Sequence, residues 1–238
     1  MKSRRSWFVI VALTVACGVG GDWPRFRGED SNSVAIDARP PTEVGKGHVA
    51  WKKELPGRGP SSPIVVGGKV VVTCSDGAKQ DRIYILCFDV KSGDEIWRRQ
   101  LWATGRTASH PTSANAAPTP ASDGEAIYAF YSSNDLVCIE LDGTLRWYRG
   151  LAFDYPKAGN DIGMASSPVI VGDVVVVQIE NQGDSFATGI SRKTGKTIWR
   201  LARDPIANWS SPVPLTMVGD DAPTAVLLQS PSGLTAVD

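Results

Sequence analysis

Glu180 and Asp184 are the carboxylates whose spacing most invites chemistry, because they flank Gly183 in the run Glu180-Asn181-Gln182-Gly183-Asp184-Ser185. Such a pair, with Asn181 between them, can hold a cation or polarise a substrate. Acids at this spacing around a glycine also serve as turn residues that accept backbone hydrogen bonds. His110 stands just before Pro111 and offers either an acid–base group or a loop hydrogen bond. Asn160 and Asp161 lie in a polar stretch, residues 155–164. Asn208 and Trp209 precede a Ser-Ser-Pro run, so the indole can stack on a ring-shaped ligand or pack beside a strand. No Ser-His-Asp arrangement and no metal-ligand spacing can be assembled. Gly67-Gly68, Asp123-Gly124 and Gly172-Asp173 read as hairpin turns, not phosphate loops. Arg200 and Arg203 are expected along an outer edge.

The elements that must position these residues repeat. The opening half of the unit reads Ser61-Ser62-Pro63-Ile64-Val65, Ala116-Ala117-Pro118-Thr119, Ser166-Ser167-Pro168-Val169-Ile170 and Ser210-Ser211-Pro212-Val213. Its closing half reads Asp89-x-x-Ser92-Gly93-x-x-x-Trp97, Glu140-x-x-Gly143-x-x-x-Trp147 and Ser191-x-x-Thr194-Gly195-x-x-x-Trp199. A period of about 50 residues suits one four-stranded propeller blade. Apolar runs such as Val70–Thr73, Ile83–Leu86, Val174–Val177 and Ala225–Leu228 are short, rich in β-branched residues and bounded by turn formers.

The third unit predicts strands over Ser167–Val171, Val174–Ile179, Phe186–Ser191 and Lys196–Leu201. In the closing motif, an acid such as Asp89 caps the turn, and Gly93, Gly143 and Gly195 take the positive φ it needs. Trp97, Trp147 and Trp199 then wedge between neighbouring blades. Burying one indole contributes about 4–6 kcal/mol before entropy is subtracted. Trp51, in Val49–Leu55, marks a lone outer strand that would complete the last blade of a ring. The chain stops at Ala236-Val237-Asp238, where the acid opens a fourth closing motif. The expectation is an all-β fold, a partial β-propeller of four-stranded antiparallel blades with three complete units, a truncated fourth and the lone strand near Trp51. In such a fold the loops entering each inner strand and those joining second to third strands share one face. That long-loop face gathers His110, Asn160, Asp161, Glu180, Asn181, Asp184, Asn208 and Trp209.

The recurrent Asp-x-x-[Ser/Thr]-Gly-x-x-x-Trp run, following a short apolar strand and followed by a Ser-Ser-Pro strand, resembles the pyrroloquinoline-quinone-like (PQQ-like) β-propeller repeat. That family includes quinoprotein dehydrogenases and a non-catalytic outer-membrane assembly lipoprotein. Asp22-Trp23-Pro24-Arg25-Phe26-Arg27-Gly28 and the run 178–186 further resemble secreted propellers of planctomycete type. The resemblance implies an eight-bladed ring in the dehydrogenases, with PQQ and Ca²⁺ as cofactors of the enzymatic members. The adjacent cysteine pair typical of those enzymes is absent, and no calcium ligand or catalytic Asp can be matched to this sequence.

The N-terminus reads as an export signal over residues 1–21: Lys2, Arg4 and Arg5, then an apolar stretch too short to span a bilayer. Cys17 also resembles a lipoprotein box, so a lipid anchor there is the one expected membrane link. Residues 22–48 form an N-terminal extension and 49–238 the propeller. The 25 basic and 25 acidic side chains balance, and three of the basic ones lie in the signal. Nothing then offers a phosphate backbone a basic patch, and nucleic acid is not an expected partner. Cys74, Cys87 and Cys138 read as buried free thiols. The lead expectation is an exported periplasmic or cell-envelope module that binds a protein, small molecule or carbohydrate on its long-loop face without catalysis or cofactor. The alternatives are a PQQ-dependent alcohol or sugar dehydrogenase and a carbohydrate-binding propeller.

Overall fold

The computed structural model describes residues 21–36, 38–159 and 161–238. The signal and Cys17 therefore lie outside the described residues, apart from Gly21, as does Asn160. Four antiparallel sheets follow one another along the chain. The first contains β1 (Ile64–Val66), β2 (Lys69–Asp76), β3 (Arg82–Asp89) and β4 (Glu95–Trp102). The second contains β5 (Ala121–Ser122), β6 (Ala126–Phe130), β7 (Asp135–Glu140) and β8 (Leu145–Gly150). The third contains β9 (Val169–Val171), β10 (Val174–Ile179), β11 (Ser185–Ser191) and β12 (Thr197–Arg203). The fourth holds three strands, β13 (Val213–Leu215), β14 (Ala225–Ser230) and β15 (Gly233–Val237). A single helical turn, α1 (Leu151–Asp154), follows β8.

Strands are paired in chain order within every sheet, and the first strands β1, β5, β9 and β13 pack side by side. Those strands therefore line an axis and the sheets radiate from it as blades. Both faces of a middle strand are covered, and β3 shows how. Alternation sends Ile83, Ile85 and Cys87 into a core shared with Ile127, Ala129, Val137 and Ile139 of the second blade. Tyr84, Leu86 and Phe88 face the other way, under Trp51. The second and third blades are joined likewise, through Tyr128, Phe130 and Leu136 against Val175, Val177 and Phe186. This is why the apolar runs are near-continuous.

An irregularity recurs where the outer strand meets its neighbour. The register shifts after the pairs Cys87↔Trp97, Cys138↔Trp147 and Gly189↔Trp199. The extra residue on the outer strand is Ile96, Arg146 or Ile198. A bulge re-aims the side chain beside it, and here that side chain is the tryptophan.

Two expectations are corrected. Val49–Leu55 forms no strand, because no neighbouring strand offers it a ladder among the described residues. Copy two also begins two residues later than the Ala116-Ala117-Pro118-Thr119 run places it. Ala121 pairs with Tyr128 as Ile64 pairs with Val71 and Val169 with Val176. The equivalent of Ser62-Pro63 and Ser167-Pro168 is thus Thr119-Pro120, not Ala117-Pro118. With that register a belt of hydrogen bonds appears around the axis. Ser62 N donates to Thr119 Oγ1 at 3.0 Å, Thr119 N to Ser167 Oγ at 3.0 Å, and Ser167 N to Ser211 Oγ at 2.9 Å.

The segment before the blades crosses the inner strands. Trp23 exchanges two backbone hydrogen bonds with Val65, and Pro24 O accepts from Ser122 N. Gly28 has φ +81° and lies so close to Trp23 that a Cβ would stand 2.7 Å from the indole. Only glycine fits there.

Candidate functional site

The loops of the long-loop face are tied to one another. Ser132 N donates to Asn115 O, His110 N to Ile162 O, and Trp209 Nε1 to Gly163 O at 2.9 Å. The face therefore exists as one surface built by three blades and the entry to the fourth.

Its two leading carboxylates do not act together. Glu180 is buried and accepts from Arg203 Nε at 2.7 Å and from Asn208 Nδ2 at 2.7 Å. Arg203 also reaches Thr235 Oγ1 in the fourth blade, at 2.9 Å. Arg203 is thus buried at the join of two blades and does not decorate an outer edge. Its charge is neutralised where a carboxylate alone would be costly. Asp184 points elsewhere, pairing with Arg200 at 2.6 Å. Arg200 in turn covers the rings of Phe186 and Tyr155, 4.5 and 4.9 Å from their centroids. Asn181 shapes the turn between them: its Oδ1 accepts from Gly183 N, and its backbone N donates to Ser185 Oγ.

The remaining candidates are similarly engaged. His110 is exposed, and its Nδ1 shares a hydrogen bond with Thr112 Oγ1 at 2.8 Å. Asp161 pairs with Arg106 at 2.5 Å on the surface. Trp209 is 44% exposed, with its ring orientation set by the bond to Gly163. Among the described residues no three His, Cys, Asp or Glu side chains converge to hold a metal ion. Glu180 is already engaged by Arg203 and Asn208, so its carboxylate is not free to serve as a metal ligand in this arrangement.

Sequence reasoning missed two acids. Asp135 is fully buried at the start of β7 and accepts from Ser133 Oγ, Thr104 Oγ1, Tyr148 Oη and Thr104 N. Burial, then the nearby Asp135, pushes the Tyr148 phenol above its usual range. Asp123, at the opposite face, accepts from Tyr128 Oη at 2.9 Å and pairs with Arg192 of the third blade at 2.8 Å. The signal for Asp123 was its Asp-Gly turn, which marks a backbone cap; nothing local marks Asp135. The cysteines are free and buried. Burial pushes Cys74 and Cys87 up to about 11 and Cys138 up to about 12, so thiolate chemistry is suppressed near neutral pH.

On the other face each closing motif receives a neighbour. Trp51 lies on Gly93, Trp97 on Gly143 and Trp147 on Gly195. The indole nitrogens donate to Val90 O, Leu141 O and Arg192 O, at 3.0, 3.0 and 2.8 Å. Arg99 and Arg149, two residues past their tryptophans, donate to the carbonyls of Gly143 and Gly195. Asp89 Oδ1 caps its turn through the amides of Lys91 and Ser92. Trp199 rests on Gly189 of its own blade.

Comparison with known proteins agrees with this architecture. A family model described as outer membrane protein assembly factor BamB matches residues 42–184. No curated protein matches the chain. Among solved structures it is similar to BamB from Moraxella catarrhalis, with 17% identity and a TM-score of 0.50, covering 79% of this chain and 50% of that one. It is also similar to the quinohemoprotein alcohol dehydrogenase from Comamonas testosteroni, with 15% identity and a TM-score of 0.52, covering 76% and 27%. The chain spans half or less of the length of these structures, and at such identities the likeness is one of fold.

Proposed function

The chain belongs to the PQQ-like β-propeller repeat family, the family of the outer membrane protein assembly factor BamB, and on that premise we propose that it is an exported cell-envelope module that binds or assembles without catalysis of its own. The observation that carries this reading is the state of Glu180. Its carboxylate is buried and used up by Arg203 and Asn208. Asp184 and Asp161 are likewise paired with arginines. These groups fix loop shape, and a fixed, polar, multi-loop surface on a rigid scaffold is what a docking face requires.

The test is direct. The chain, expressed with its own N-terminus, is fractionated, purified and incubated with PQQ and Ca²⁺, then assayed for dye reduction with alcohols and sugars. The expected result is recovery from the envelope fraction and no turnover above a heat-denatured control. Turnover above that control, dependent on both PQQ and Ca²⁺, would establish a dehydrogenase and overturn the reading.

A further inference from the structure

We propose that the axial cavity of this chain binds a singly anionic sugar of the hexuronate class. This site lies at the axis and shares Trp209 with the long-loop face. The cavity measures about 410 Å³, within the range of small-molecule sites. Three observations define its chemistry.

The first is the hydroxyl belt. Thr119 and Ser167 are more than nine-tenths buried, and with Ser211 they line the cavity. Each hydroxyl accepts an amide from the preceding blade. Among the described residues none of the three donates, although a hydroxyl carries one proton to give. Successive blades thus present donors to the same space, which suits a ligand rich in oxygen acceptors.

The second is charge. Arg27 lines the cavity, and no carboxylate does among the described residues. The guanidinium lies 5.6 Å from the Phe26 ring, and no acid among the described residues pairs with it. The segment that carries it has a backbone of unusual form: Arg27, Ser31 and Ser33 all have positive φ, at 66°, 54° and 65°. Conformations of this kind persist only where the surroundings enforce them. A lone guanidinium of this sort suits a planar carboxylate.

The third is a flat wall. Trp209 lines the same space, half exposed, its plane held by the hydrogen bond from Nε1 to Gly163 O. An indole fixed in this way offers a face to a sugar ring. Anion, ring and hydroxyls together describe a hexuronate.

The test uses the full chain and indole fluorescence, confirmed by calorimetry, with sodium glucuronate, glucose, the methyl ester of glucuronate and inorganic phosphate as probes. Glucuronate is expected to bind at least about tenfold more tightly than glucose or the methyl ester, a difference of about 1.4 kcal/mol. Arg27→Gln is expected to remove that preference, bringing glucuronate affinity down to that of glucose in the same variant. The ester comparison needs no variant, so it decides the matter even if Arg27→Gln fails to fold. Equal affinity for glucuronate and its ester overturns the proposal. So does phosphate competing as well as glucuronate, which would mean a bare anion site, or the absence of any binding.

Discussion

The Trp97 indole lies flat on Gly143 of the next blade, so close that a Cβ there would stand 2.9 Å from Cγ and Cδ2 of the ring. Trp51 on Gly93 and Trp147 on Gly195 repeat the relationship. The glycine is doubly determined, by a left-handed backbone and by a ring above it. The indole N–H and the following arginine fasten the same turn. One motif therefore terminates a blade and receives its neighbour.

Trp97→Ala should destabilise the protein by about 3–5 kcal/mol, the cost of a large cavity in a packed interface. Urea unfolding would measure it. A change below about 0.5 kcal/mol would show that the ring does not hold the blades together.

Glu180→Gln leaves Arg203 buried with its charge unmatched and should cost about 3–5 kcal/mol. Asp184→Asn removes a pair whose side chains are 30% and 34% exposed, and should cost about 0.2–1 kcal/mol. Equal effects in thermal unfolding would contradict the different environments of the two acids.

Acid should loosen the join between the second and third blades. Burial alone would raise the Asp123 carboxyl, but the amides of Ala126 and Glu125, the Tyr128 hydroxyl and Arg192 hold it below its ordinary value of 3.8. A carboxyl depressed in the folded state stabilises above its unfolded value and loses that contribution as pH falls through the folded one. Stability from Asp123 is thus present above pH 3.8 and lost on further acidification. Asp123→Asn should be less stable at neutral pH and flatter in acid. An unchanged acid limb would remove Asp123 as a contributor.

Cys74, Cys87 and Cys138 should resist iodoacetamide at neutral pH and react once the chain is unfolded in denaturant. Peptide mapping separates them from Cys17. Labelling of Cys87 in the native protein at the unfolded rate would contradict its burial against Trp97.

The sequence made the blades legible because their signals are local. Val174–Ile179 and its neighbours follow from β-branched runs and turns, and the recurrent Gly and Trp follow from spacing. The slip in copy two has a physical origin: strand side chains alternate with a period of two, so moving from Ala117-Pro118 to Thr119-Pro120 keeps every residue on the same face. Only pairing with Tyr128 and Ile127 resolves it. The site was less legible. Arg203 and Glu180 meet across the sheet, with Thr235 joining from another blade. Asp135 gathers Thr104 and Tyr148 from distant segments. No periodicity records such meetings. Nor does it record Arg27 lining the same cavity as Trp209.

The radial stacking of blades through glycine and tryptophan is tested most directly by comparing Gly143→Ala with Gly124→Ala in urea. The two glycines have nearly the same φ, +89° and +88°, but a Cβ at Gly124 meets nothing within 4 Å. Gly124→Ala should therefore cost about 1 kcal/mol, the backbone strain alone. Gly143→Ala should cost about 1–3 kcal/mol more, because the Trp97 ring must move. Equal losses in the two variants would mean that no indole rests on that turn, and the stacked-blade account would fail.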